Sequence, residues 1–253
     1  MLSVLFLLLC GFFSDDDGNQ PPTYYCKKVV EQPADFTCAQ FWDSAQWIPY
    51  FLDLKTGEKA ELTTRAKMLW DDRYLYVMVE MLDPHLWAEQ TKNEEKIYLD
   101  KAFELFVDPD GDGLNYVEYE INALGATWDL LMTKPYRDGG GALSNFDMKG
   151  IKKKVELNGT LNKPTDVDTG WILYLAIPFK NFEGLCAKPT PEKGDTWRLN
   201  LAQVHWTLDI DGDKYIKYKN PETGKNISKY WVWSTHGAIN MHMPERFGYV
   251  VFD

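Results

Sequence analysis

Three carboxylates fall at alternate positions in the run Asp108-Pro109-Asp110-Gly111-Asp112-Gly113. Oxygen ligands so spaced, with a glycine for a sharp turn, open an EF-hand calcium loop. The match ends at the twelfth position, where Tyr119 stands in place of a bidentate Glu and a strand pattern replaces a helix. The run therefore suggests a calcium site of another geometry, structural in role. Asp108, Asp110 and Asp112 would be its ligands, with an oxygen from Asn115. The same residues also read as an acidic hairpin turn between Val107 and Tyr116. A second cluster, Asp209-Ile210-Asp211-Gly212-Asp213, is followed by Lys214 and reads as a solvated turn. Glu118 and Glu120 alternate in a strand pattern, which puts them on one face roughly 7 Å apart, within the range of glycosidase carboxyl pairs. A solvated strand face has the same pattern. No GxSxG, HExxH, GxGxxG or P-loop sequence occurs. His85, His205, His236 and His242 lack metal-ligand spacing, although His205 beside Trp206 and His242 near Arg246 are placed to touch a ligand. Tryptophan offers a flat apolar face to a pyranose, while carboxylates, amides and Arg bond its hydroxyls. Trp128 follows the strand of Glu118, Glu120 and Asn122, and Trp206 follows Arg198 and Asn200. This alternation suits a sugar-binding sheet face.

The elements that must position these residues are strands. Tyr74-Leu75-Tyr76-Val77-Met78-Val79 follows an Asp71-Asp72 turn, and Phe103-Glu104-Leu105-Phe106-Val107 is stopped by Asp108-Pro109. Over residues 116–123, Val117, Tyr119, Ile121 and Ala123 fall on one face; Tyr116, Glu118, Glu120 and Asn122 fall on the other. Residues 171–177 are almost continuously apolar, 197–206 alternate again, and 249–252 form a last strand. Short turns rich in Gly, Pro and Asp separate these runs. The pattern predicts an all-β fold, an antiparallel, jelly-roll-like β-sandwich. Short helical turns are expected near residues 39–47 and 178–182. Burying a face of carboxylates against a second sheet is very costly unless they are paired. The Glu118 face must therefore meet water or line a cleft.

Composition narrows the partners. The 253 residues are 45% hydrophobic and 26% charged, enough to bury a core, and 15% aromatic with ten Trp. A net charge of -11 argues against nucleic acid or an anionic membrane surface and favours a neutral or cationic ligand. Residues 2–13 are an apolar run followed by Asp15-Asp16-Asp17, too short to span a bilayer and similar to a signal-peptide core. Residues 1–22 are thus expected to be a signal peptide and linker, and 23–253 a single domain. Secretion follows, with lipid anchoring through Cys10 as the alternative. No later segment reaches transmembrane length. Cys26, Cys38 and Cys186 remain; Cys26 and Cys38 could close a small loop, or all three could be thiols. Asn158-Gly159-Thr160 and Asn226-Ile227-Ser228 are glycosylation sequons.

Several stretches resemble family 9 carbohydrate-binding modules. They are Lys67-Met68-Leu69-Trp70-Asp71-Asp72-Arg73-Tyr74-Leu75-Tyr76-Val77, Asp100-Lys101-Ala102-Phe103-Glu104-Leu105-Phe106-Val107-Asp108, and Asn122-Ala123-Leu124-Gly125 with Trp128-Asp129. Gly170-Trp171 through Ala176-Ile177-Pro178 adds to them. The ending Asn240-Met241-His242-Met243-Pro244-Glu245-Arg246-Phe247-Gly248 is similar to that of stand-alone secreted members. The resemblance runs over residues 24–253 and implies an antiparallel sandwich without catalysis of its own. It implies binding of poly- or oligosaccharide, often beside a glycoside hydrolase, and structural calcium in some members. Studied members clamp a glycosyl unit between two Trp rings. Here those positions hold Ile97, Tyr98 and Leu99, and Met241 and His242. Glu104 and Asn122 match the family's sugar-bonding positions, and Glu120 stands where those members have an Arg. Together the two readings place a sugar site on Glu104, Glu118, Glu120, Asn122 and Arg198, with Trp128 or Trp206 as aromatic wall and His242 nearby. The alternatives are a glycosidase using Glu118 and Glu120, or an interaction sandwich whose sugar site has decayed.

Overall fold

The computed structural model describes residues 20–30 and 34–253. The apolar leader and Cys10 lie outside them. The strands are β1 (Thr23–Lys28), β2 (Leu52–Asp53), β3 (Thr64–Trp70), β4 (Tyr74–Leu82), β5 (Ala102–Asp108), β6 (Tyr116–Asn122), β7 (Thr127–Met132), β8 (Ala142–Leu143), β9 (Lys152–Asn158), β10 (Gly170–Pro178), β11 (Thr196–Trp206), β12 (Leu208–Asp211), β13 (Lys214–Lys217), β14 (Ser228–Val232) and β15 (Gly248–Phe252). Each strand expected from the alternation is present. Among the described residues only short 3-10 turns accompany them, including Ala39–Trp42 and Phe179–Phe182, where helical turns were expected.

One layer runs β8-β7-β6-β5-β11, all antiparallel. The long β11 then serves two neighbours. Its first part pairs with β15 and its last part with β14, which in turn pairs with β2. The other layer runs β3-β4-β10-β9, also antiparallel. The link between layers departs from the antiparallel expectation. Strand β1 pairs in parallel with β15 at Thr23, Tyr24, Tyr25 and Cys26, then in parallel with β3 at Lys27 and Lys28. Alternation within a strand fixes its faces but not the direction of its neighbours, so this crossing was not readable locally.

The core lies between the layers. Val117, Tyr119, Ile121 and Ala123 point into it as the alternation requires, against Leu105 and Val107 of β5 and Leu199 and Leu201 of β11. Val77, Val79, Leu173, Leu175 and Ile177 close it from the other layer. Each fully buried side chain of this kind contributes about 1.5–3 kcal/mol. Trp231 and Trp233 belong to this core, as most of the Trp residues would on composition alone. Cys26 is buried, Cys38 is exposed, Cys186 is half-buried, and all are free thiols. The small Cys26–Cys38 loop is therefore not formed: Cys26 points into the core while Cys38 points to solvent. The residues 209–213 cluster is an exposed hairpin of β12 and β13, a solvated turn.

Candidate functional site

With one face of β5 and β6 in the core, the other face carries the carboxylates. Pairing of β5 with β6 sets Glu104 directly opposite Glu120 and Phe106 opposite Glu118. On the far side β7 sets Trp128 opposite Glu120 and Leu130 opposite Glu118. Glu104, Glu118 and Glu120 thus converge: an oxygen from each lies within 4.8 Å of the others. All three are buried, at 3%, 4% and 2% exposure. Like charges directly opposed across a strand pair destabilise it, so without a counter-charge the three carboxyls cannot all ionise except at a cost to the fold.

The polar partners are few. Glu120 Oε2 accepts the Tyr98 backbone N–H at 2.7 Å. Glu104 Oε2 is buried without a hydrogen-bond partner among the described residues. Burial pushes Glu104 up to about 8. Burial, then the neighbouring carboxylates, pushes Glu118 and Glu120 well above the ordinary range.

These glutamates floor a cavity of about 360 Å³. One wall is Tyr98, from the Ile97–Leu99 turn, with its ring stacked on Trp128 at 5.8 Å and 30°. Across from β7 come Met241 and His242 of the late loop, together with Tyr136 and Tyr230. The Tyr136 and His242 rings meet edge to face at 4.8 Å. His242 Nδ1 shares a hydrogen bond with the Tyr116 hydroxyl at 3.1 Å, and its Nε2 lies 3.8 Å from Glu118 Oε2. Burial depresses His242 to about 4, so the ring is neutral. A pocket of this size, with aromatic walls and a few convergent polar groups, suits a small polar ligand.

Of the expected sugar-site residues, Glu104, Glu118, Glu120, Trp128 and His242 come together here. Three do not line the pocket. The Asn122 amide donates to Gln90 O and Asp100 Oδ2, and its oxygen accepts from Leu124 N and Ala126 N. Its hydrogen-bonding capacity is spent on the loops around β6. Arg198 sits opposite Asp108, four residues along β11 from the Ala202 that faces Glu104, which is about 13 Å at strand rise. Its guanidinium donates to Phe247 O, Glu245 O and the Tyr249 hydroxyl. The Trp206 ring is capped by Lys217 Nζ at 3.9 Å, and its N–H donates to Tyr98 O, buttressing Tyr98 from behind. Sequence reasoning missed Tyr136, Tyr230, Leu54 and Ile239, which loops and a partner strand bring in.

The acidic loop between β5 and β6 is a separate cluster. Oxygens of Asp108, Asp110 and Asp112 lie within 4.8 Å of one another. Asp108 accepts from Gly111 N and Gly113 N, each at 2.9 Å, and Asp112 accepts from Leu114 N at 2.8 Å. Burial raises Asp108 to about 6. Asn115 adopts a left-handed backbone (φ 49°) at the end of this loop.

A β-sandwich with one sheet face opened into an aromatic, carboxylate-floored pocket defines a ligand-binding sandwich. Residues 35–250 match the family described as carbohydrate family 9 binding domain-like, and the chain belongs to that family. It is 30% identical over 117 residues to exoglucanase XynX of Acetivibrio thermocellus, a match that covers 46% of this chain and 9% of that enzyme. The chain thus spans under a tenth of the length of that relative. The fold is similar to a family 9 carbohydrate-binding module from Caldicellulosiruptor kristjanssonii in complex with cellotriose, with TM-score 0.57 and 14% identity over 91% of this chain and 93% of that one. It is also similar to a structure from Bacteroides uniformis, with TM-score 0.63 and 18% identity over 92% of this chain and 100% of that one.

Proposed function

We propose that the chain binds an oligosaccharide, without catalysis, in the pocket floored by Glu104, Glu118 and Glu120. One observation carries this reading. The two positions where the family resemblance puts clamping rings, at Tyr98 and at Met241–His242, line the same pocket, and Glu104 lies on its floor. Tyr98 stacked on Trp128 supplies a broad aromatic wall for the C–H face of a sugar, and the carboxylates accept from hydroxyls. The similarity to a module holding cellotriose favours a glucan-like ligand. The partial match to an exoglucanase favours work beside glycoside hydrolases in extracellular polysaccharide breakdown. Among the described residues no helix is long and apolar enough to cross a membrane, which is compatible with secretion. The glycosidase alternative loses support from electrostatics. Burial raises both Glu118 and Glu120 well above the ordinary carboxyl range, whereas a hydrolytic pair needs one carboxyl to stay ionised beside a protonated partner.

Titration calorimetry with cellotriose tests the reading. Trp128→Ala and Tyr98→Ala should each weaken binding about tenfold or more, as loss of an aromatic face costs on the order of 1 kcal/mol beyond the lost contact area. Binding like wild type in both folded variants would remove the site from this pocket.

A further inference from the structure

We propose that Glu104, Glu118 and Glu120 hold a divalent cation of calcium size at the floor of the pocket. The register brings three carboxylates to one point, with Glu104 directly opposite Glu120, where like charge is unfavourable. Among the described residues, those lining the pocket include no Lys or Arg to balance them. The Glu104 side chain is buried and offers an oxygen to this group, and its Oε2 has no hydrogen-bond partner among the described residues. An unpaired buried acceptor costs the fold about 1–3 kcal/mol, and a cation removes both the repulsion and the missing partner.

The donor set selects the ion. Three carboxylates are hard oxygen ligands, which suit calcium, magnesium or manganese rather than thiolate-seeking metals. Their oxygens lie within 4.8 Å of one another, a span that an ion bonding at roughly 2.3–2.6 Å can bridge. Magnesium, at roughly 2.0–2.1 Å, demands a near-ideal octahedron, which three side chains fixed on two paired strands are less free to supply. The pocket adjoins the three carboxylates, so water fills the remaining positions. On the carbohydrate reading, sugar hydroxyls take the place of those waters. This site is distinct from the loop of Asp108, Asp110 and Asp112, which begins at the last residue of β5.

Calcium chloride titrated into the full chain, followed by calorimetry and by thermal melts against chelator, tests the proposal. Asp110→Ala serves to remove one carboxylate of the other cluster. Wild type and Asp110→Ala should share one calcium-binding event, and Glu104→Gln and Glu118→Gln should lose it. In chelator Glu104→Gln should melt at or above wild type, since it removes a buried carboxyl that gives up its charge on folding and keeps the side chain's shape; this guards against mistaking misfolding for metal loss. An unchanged calcium event in Glu104→Gln, or none in Asp110→Ala, overturns the proposal. So does glucosamine binding that persists in chelator and vanishes in Glu104→Gln, which would assign the triad to an ammonium group. Cellotriose titrated with and without calcium separates the two readings. Calcium binding without cellotriose binding removes the carbohydrate reading alone. Cellotriose binding with no calcium response removes the cation alone.

Discussion

At the scale of single residues, Glu104 decides the most. Its folded carboxyl is raised to about 8 from an ordinary 4.5 by burial. A raised acid stabilises the fold fully below the unfolded value and loses that contribution as pH rises through the folded one. Glu104→Gln cannot ionise and keeps it. In chelator, the melting temperature of the variant should pull ahead of wild type between about pH 4.5 and 8, then hold a constant lead. A lead that does not change with pH would contradict this. His242 works in the opposite sense. Depressed to about 4 from 6.5, it stabilises above the higher value and fails as pH falls through the lower, equally in both proteins, so it cancels in the difference. The sequence made Glu118 and Glu120 legible as a pair because strand alternation is local. Glu104 joined them only through the family resemblance, since cross-strand register is set by partners far along the chain. Arg198 was drawn to the same face by the same alternation. That pattern says which side of a sheet a residue faces, not how far along the strand it sits.

At the scale of elements, the turns explain why the strands end where they do. Asp71 Oδ1 accepts from Arg73 N and Tyr74 N, each at 2.7 Å, and so folds β3 back into β4. The Asp71-Asp72 signal for this turn was plain in the sequence. The close approach of two backbones at the start of β10 was not. Gly170 has φ 142°, and a Cβ there would stand 2.0 Å from Met81 O. Gly170→Ala should therefore cost about 2 kcal/mol or more, read as a lower urea midpoint with unchanged slope. The acidic loop offers a second check. If it carries structural calcium, Asp110→Ala should lose part of the calcium-dependent rise in melting temperature and keep the part due to the glutamate triad. Equal rises in both proteins would leave the loop as an acidic turn held by Asp108 and the Gly111 and Gly113 amides. Alternation and turn residues made the strands readable, whereas the pocket walls at Tyr98, Tyr136 and Met241 come from loops that carry no periodic signal.

At the scale of the whole molecule, the net charge of -11 and the acidic pocket agree that a neutral or cationic ligand is favoured. The feature with the widest reach is β1, paired in parallel first with β15 and then with β3. Parallel neighbours must be joined by a long excursion, and here that excursion is nearly the whole domain. During synthesis the early strand emerges long before its last partner exists. Until residues 248–252 arrive, Tyr24 and Cys26 have no β15 to lie against, and one side of the core stays open to water. Contacts between distant segments close late and slow folding. A chain stopped at residue 247 should therefore remain open to protease along its early strands, although it carries every residue of the pocket floor. Adding back the final strand should close it in one cooperative step.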